Sequence, residues 1–286
     1  MIEFKKLSRH TGAEIMGVDL SKPIPRATVD EIMALFHEHC VIVFRGQSLD
    51  PDGLVAATNM FGKAAVLSLP KEVVSARQQT LPPQIMMITN IREDGKTIGA
   101  HPDGEMWFHH DTIHRKVPHM ATLLYSVEIP SWGGNTAFSN LFAAYDGLPA
   151  DLKQALEGRK AYNAFSYGST RKNDPNAVAA RSHAIHPAIR THEETGRKAI
   201  FVDRLMTQSL VDVPEKEGEA ILERVFDFIE REEFVYEHVW RVGDVAARYG
   251  WGVEPVRWIG RLQRPERLCW LFGQWRGRSG VGFPLG

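Results

Sequence analysis

Cysteine is scarce: Cys40 and Cys269 are the two in 286 residues. Two distant thiols do not make the disulfide framework of a small secreted fold, and a reducing cytoplasm is the expected compartment. The N-terminus lacks a basic stretch followed by an apolar run, so no signal peptide is expected. No apolar run approaches the roughly 18 residues of a membrane span. Neither sign of charge is in excess. With 34 basic and 35 acidic side chains the formal net charge is -1, which gives no reason to expect a nucleic-acid partner or a membrane surface. Internal repeats are lacking, and so is a G-x-G-x-x-G opening a helix, which leaves a nucleotide-binding α/β fold unsupported.

What is present is a chain of many short β patterns. A hydrophobic content of 43% and this length suit a single globular domain, 1–286, with a sizeable core. IEFKKLS and AEIMGVDL read as a strand or hairpin, and ATVDEIMALFHEHC as a helix with Thr28 as N-cap and Glu31 as its capping-box partner. CVIVFRG reads as a buried strand, followed by a helix starting at Asp50 or Asp52. Residues 64–84 read as a loop that could fold over a site, IMMITNI as a strand, and 93–106 as a glycine-rich loop. HMATLLYSVEIP is the clearest central strand, and NTAFSNL a shorter one. Residues 162–182 look irregular, like a lid. HPAIRTHEETGRKAIFVD reads as two strands around a turn closing at Gly196. VPEKEGEAILERVFDFIEREEF is an amphipathic helix with Ile221, Val225, Phe228 and Ile229 on its apolar stripe. The sum is a mainly β fold with flanking helices.

Residues 107–114, WFHHDTIH, concentrate the chemistry. On an extended segment His109 and Asp111 face one way and His110 the other. A His-x-Asp pair can therefore give one nitrogen and one oxygen to the same ion. That mixed set suits Fe(II), held on one octahedral face by two histidines and a carboxylate. Alone the tripeptide is weak, because it recurs by chance. His110 reads as a packing or hydrogen-bonding residue outside the site. His114 and His119 read as surface or capping residues.

The order of further motifs strengthens the signal. GAEIMGVDL, VIVFRGQ, FHHD, PSWGGNTAFSN, AAYDGLP, HPAIRTHEETGRKAIFV and HVWRVGD follow one another. Over about residues 3–244 the chain resembles the taurine/2,4-dichlorophenoxyacetate (TauD/TfdA) family of Fe(II)- and 2-oxoglutarate-dependent dioxygenases. The resemblance implies a double-stranded β-helix, a jelly roll of the clavaminate synthase-like kind. It implies Fe(II) as metal, 2-oxoglutarate and dioxygen as cosubstrates, and a small organic acid of sulfonate or aryloxyalkanoate type as substrate. Succinate, carbon dioxide and a hydroxylated product would result. His109 and Asp111 match the first two iron ligands, Thr136 a residue that binds 2-oxoglutarate, and Asn90, more loosely, a substrate-pocket asparagine. Leu124 and Tyr125 are pocket or core. His101, Arg171 or Lys172 could meet an anionic substrate if their loops cover the site. The resemblance leaves room for a homo-oligomer.

The family also places a second iron-binding histidine after the W-x-x-G-D segment, preceded by a Trp-Asp-Asn-like strand and followed by an arginine that clamps 2-oxoglutarate. Here the segment ends at Asp244, and the last histidine of the chain is His238, ahead of that turn. His238 matches a pre-turn residue instead of the ligand. The 42 residues after Asp244 hold seven arginines, eight glycines and four tryptophans, with no lysine, aspartate or histidine. Residues 245–286 are thus an atypical tail. A reading-frame shift near residue 245 accounts for it, and a divergent tail packing by its tryptophans is the other account. The expected consequence is an impaired or inactive dioxygenase, or a small-molecule binding module on the same barrel, with the last strands missing or replaced.

Overall fold

The computed structural model describes residues 2–66, 74–99, 106–166, 169, 171–172, 182–250, 253–257 and 269–276, the last two stretches as backbone. Strands that pair antiparallel, apart from the parallel pair Ala13–Ile15 and Val41–Phe44, carry the fold. The larger sheet runs Phe4–Lys6, Ala13–Ile15, Val41–Phe44, Val245–Tyr249, Ala121–Glu128, Cys269–Arg276. The far edge of Cys269–Arg276 takes Ile85–Thr89 along one part and Lys63–Ala64 along another. Two three-stranded sheets run Val235–His238, Thr136–Asn140, Val253–Arg257 and Ser182–Pro187, Lys160–Phe165, Thr207–Leu210. This is the expected jelly roll with helices outside it.

The strand Ala121–Glu128 is central, as its apolar run predicts: it pairs with Val245–Tyr249 on one side and Cys269–Arg276 on the other. Its first six residues are all buried. Helix Pro51–Phe61 starts as the sequence indicates, with Asp50 accepting from Gly53 N at 2.6 Å and proline in the first turn. Helix Arg26–His39 differs from expectation. It begins three residues earlier, with Pro25 in place of Thr28 at the N-cap and without a side-chain cap. Thr28 lies inside it, and Glu31 accepts from Ile2 N at 2.7 Å instead of closing a capping box. A proline can open a helix because its fixed φ already suits the turn, and that signal outranked the threonine. Helix Glu215–Ile229 buries Val225, Phe228 and Ile229 as its stripe predicts.

Other differences are local. Residues 162–165, expected to be irregular, belong to the strand Lys160–Phe165, and Ser182–Pro187 pairs with it. Within 93–106, Arg92–Glu93 and Lys96–Thr97 make a small hairpin around Asp94-Gly95, both at positive φ, the Asp-Gly turn that a two-residue hairpin favours. Residues 67–73 of the expected lid lie outside the described residues, and Ala76–Gln79 is a short helix. The tail gives the largest surprise. The last strands are replaced, not missing: Val253–Arg257 pairs with Thr136–Asn140, and Cys269–Arg276 fills the slot beside Ala121–Glu128. A β ladder is made by backbone groups, so β-branched and aromatic residues of unrelated sequence can occupy it. Among the described residues no helix is long and apolar enough to cross a membrane.

The core buries several imidazoles. His114 and His119 are among them, contrary to the expectation of surface or capping positions. His114 stacks on Phe165 at 5.3 Å. His192 accepts from Glu194 N and Thr195 N through Nδ1 at 3.3 and 3.1 Å. Burial pushes both His114 and His192 down to about 4. Their folded values lie below the roughly 6.5 of an unfolded histidine, so the unfolded chain binds protons first as pH falls. The stability they contribute is complete above about pH 6.5 and is lost progressively towards pH 4. Calorimetry across that window should show Tm falling by several degrees, with a shallower fall in His114→Phe. A flat Tm would contradict the buried neutral imidazoles.

Candidate metal centre

The site is built on the turn that follows Trp107. His109 Nδ1 bonds the Trp107 carbonyl at 2.8 Å, which places the proton on Nδ1 and leaves the Nε2 lone pair free. Nε2 then lies 3.4 Å from Asp111 Oδ1. Two donors of one ion with bonds of about 2.1 Å at a right angle lie about 3 Å apart, so this spacing suits a shared ligand-binding edge. His110 points elsewhere, as alternation predicts. Its Nδ1 meets Asp203 Oδ2 at 3.2 Å, its ring packs edge-on against Phe201, and it is wholly buried. The route to this outcome is not a strand, however. Residues 111–114 are turn, and Thr112 adopts a positive φ of 59°. Its hydroxyl accepts from His119 N at 2.9 Å and fixes that turn.

Asp111 has two further partners that sequence reasoning did not single out. Thr122 Oγ1 donates to Asp111 Oδ2 at 2.7 Å, and Arg248 Nη2 makes a close ion pair with the same oxygen. Thr122 and Arg248 are direct cross-strand partners in the antiparallel ladder, and directly opposed residues share a face. Arg248 is only 2% exposed. Burial works to raise the Asp111 carboxyl, but Arg248, followed by His109 and Thr122, overcomes it and holds the group well below the usual carboxylate range. The available sequence signal was an arginine inside VAARY, an otherwise apolar strand.

Thr136 is buried and faces His238 across the ladder. Its Oγ1 accepts from Trp240 Nε1 at 2.9 Å, so its own hydroxyl proton stays available to a ligand. His238 is tied up behind it, with Tyr236 OH at 2.9 Å, Asp244 at 3.3 Å and Trp240 edge-on at 4.4 Å. Asp244 also takes Arg45, Arg241 N at 2.8 Å and, through its own N–H, Ser126 Oγ at 2.9 Å. The turn before the tail is therefore firmly anchored. Asn90 follows directly on Ile85–Thr89 and is half-buried. Leu124 and Tyr125 are core: Tyr125 OH accepts from Leu49 N at 3.1 Å and reaches Gln47 O at 3.4 Å. His101 lies outside the described residues, Arg171 is exposed, and Lys172 donates to Gln208 O at 3.3 Å.

The model of the family "Taurine catabolism dioxygenase TauD, TfdA family" matches residues 3–247. The chain belongs to the TauD/TfdA family. Its sequence is 29% identical over 244 residues to the alpha-ketoglutarate-dependent 2,4-dichlorophenoxyacetate dioxygenase of Cupriavidus pinatubonensis, covering 82% of this chain and 84% of that one. It is 28% identical over 251 residues to the alpha-ketoglutarate-dependent sulfate ester dioxygenase of Pseudomonas putida, covering 82% and 77%. In three dimensions it is similar to a taurine dioxygenase from Burkholderia xenovorans, with a TM-score of 0.78 and 26% identity over 98% of this chain and 93% of that chain. The family match stops one residue before Arg248. The three-dimensional match runs on through the tail, because the two late strands occupy jelly-roll positions.

The donor set decides whether Fe(II) fits. His109 and Asp111 offer two donors, and no histidine follows Asp244 in the sequence. Among the described residues no group of three histidine, cysteine, aspartate or glutamate side chains could hold an ion. The second oxygen of Asp111 already serves Thr122 and Arg248. Among the described residues, the side chains do not fit a three-ligand iron centre.

His110 and Asp111 should respond differently to truncation. His110→Ala leaves Asp203 buried beside an empty imidazole slot, and should cost about 1–3 kcal/mol of stability. Urea unfolding reads this directly. An unchanged midpoint would mean that the His110–Asp203 contact holds nothing together.

Proposed function

We propose that the protein is a 2-oxoglutarate-dependent oxygenase of small organic acids, of sulfonate or aryloxyalkanoate type, in an impaired form. The observation that carries this reading is the 3.4 Å approach of His109 Nε2 and Asp111 Oδ1, in a chain whose relatives are named for 2-oxoglutarate-dependent oxidation of such acids and esters. His109 and Asp111 are the metal-facing pair. Thr136 is the 2-oxoglutarate-facing residue, its hydroxyl proton spare once Trp240 has bonded the oxygen. Asn90 is assigned to the substrate side on the resemblance alone. All lie in one domain, 1–286, with 245–286 as its atypical part.

Impairment follows from what the centre lacks. Two protein donors hold a hard divalent ion less firmly than three, and an arginine fork aimed at the far carboxylate of 2-oxoglutarate would add geometry as well as charge. Arg257 stands opposite Thr136 in the ladder but outside the family pattern. We take the tail to be an out-of-frame product. The nucleotide sequence around codon 245 tests this: another frame should encode a Trp-Asp-Asn-like strand, a histidine and, later, an arginine. If no alternative frame does so, the tail is divergent.

Activity is tested by anaerobic titration with Fe(II) and 2-oxoglutarate, followed by admission of air and a succinate assay. The expected outcome is no visible charge-transfer band and no succinate above the level of an Asp111→Ala variant. A band that disappears in Asp111→Ala would show a working centre and overturn the impairment. A catalytically inactive, acid-binding role shares the front of the site, and differs in predicting organic-acid binding that a chelator leaves unchanged.

A further inference from the structure

The arginine at the metal-facing carboxylate has a consequence of its own. Arg248 is buried to 2% exposure on the strand Val245–Tyr249, between Val41–Phe44 and the central strand. Its register opposite Thr122 sends both side chains to the same oxygen, Asp111 Oδ2. The other oxygen faces His109 Nε2. Neither Phe36, which stacks on the next residue Tyr249 at 4.2 Å, nor the ladder leaves that strand free to shift in register. A guanidinium is permanently charged and cannot give way by losing a proton.

We propose that Arg248 is a built-in cation that stands in for the divalent metal, neutralising Asp111 and excluding metal ions from the His109–Asp111 pair. The inference rests on the reading of that pair as the metal-facing one. A divalent ion entering beside Asp111 would meet a fixed positive charge within contact of the same carboxylate, in a poorly screened interior. The ion pair therefore opposes metal binding through charge, and leaves Asp111 only Oδ1 to offer on the His109 side.

The test uses the whole chain and Mn(II), followed by its electron spin resonance as free ion. Wild type should bind Mn(II) no more tightly than Asp111→Asn. Arg248→Met removes the competing charge, and should bind on the order of tenfold or more tightly than wild type because the local repulsion is gone. That gain should vanish in His109→Ala/Arg248→Met. Arg248→Gln, which keeps a hydrogen-bond donor for Asp111, gives the same comparison if the methionine variant does not fold. If neither variant folds, wild type against Asp111→Asn decides alone. Wild-type binding that depends on Asp111 would overturn the exclusion while leaving the metal-facing pair intact. A folded Arg248→Met or Arg248→Gln that gains no affinity would overturn the pair as well.

Discussion

A carboxylate taken out of water must be paired, and that requirement organises the centre of this molecule. Asp111 is nearly enclosed, so its charge needs a compensating partner. The jelly roll builds its surroundings from two directions. The turn after Trp107 brings His109 alongside one oxygen, and the ladder between Ala121–Glu128 and Val245–Tyr249 brings Thr122 and Arg248 to the other. A one-residue slip in that ladder would carry Arg248 to the opposite face and strand the carboxylate. Register and charge pairing therefore depend on each other.

The same ladder explains how the chain keeps its fold where its sequence leaves the family pattern. Strand positions are filled by backbone hydrogen bonds and by residues of suitable shape, so Val253–Arg257 and Cys269–Arg276 complete the sheets even though their sequence leaves the family pattern. A metal site has no such tolerance, since it needs particular donor atoms at particular places. The family match and the donor set both end near Asp244, whereas the architecture continues.

Much of the fold was legible from periodicity and caps. The central strand, the Asp50 cap and the stripe of Glu215–Ile229 all follow from local rules. The approach of His109 to Asp111 was legible as well, because His-x-Asp is contiguous. His110 turning towards Asp203 was foreseen in direction, but the actual device is a turn held by Thr112 at positive φ, which no alternation rule describes. Thr122 and Arg248 were not found: Thr122 reads as an ordinary strand threonine, and Arg248 meets Asp111 only through a strand pairing that spans more than a hundred residues. His114 and His119 were misplaced on the surface because histidine is polar in sequence and yet packs as a neutral ring when buried.

The claim that Asp111 and Arg248 satisfy one another is tested most directly by a double-mutant cycle in unfolding free energy. Wild type, Asp111→Asn, Arg248→Met and the double variant would be unfolded in urea under one set of conditions. The account predicts a coupling of about 2 kcal/mol or more, with the double variant more stable than the sum of the single losses implies. Losses that add to within about 0.5 kcal/mol would show the two side chains to be independent, and would contradict it.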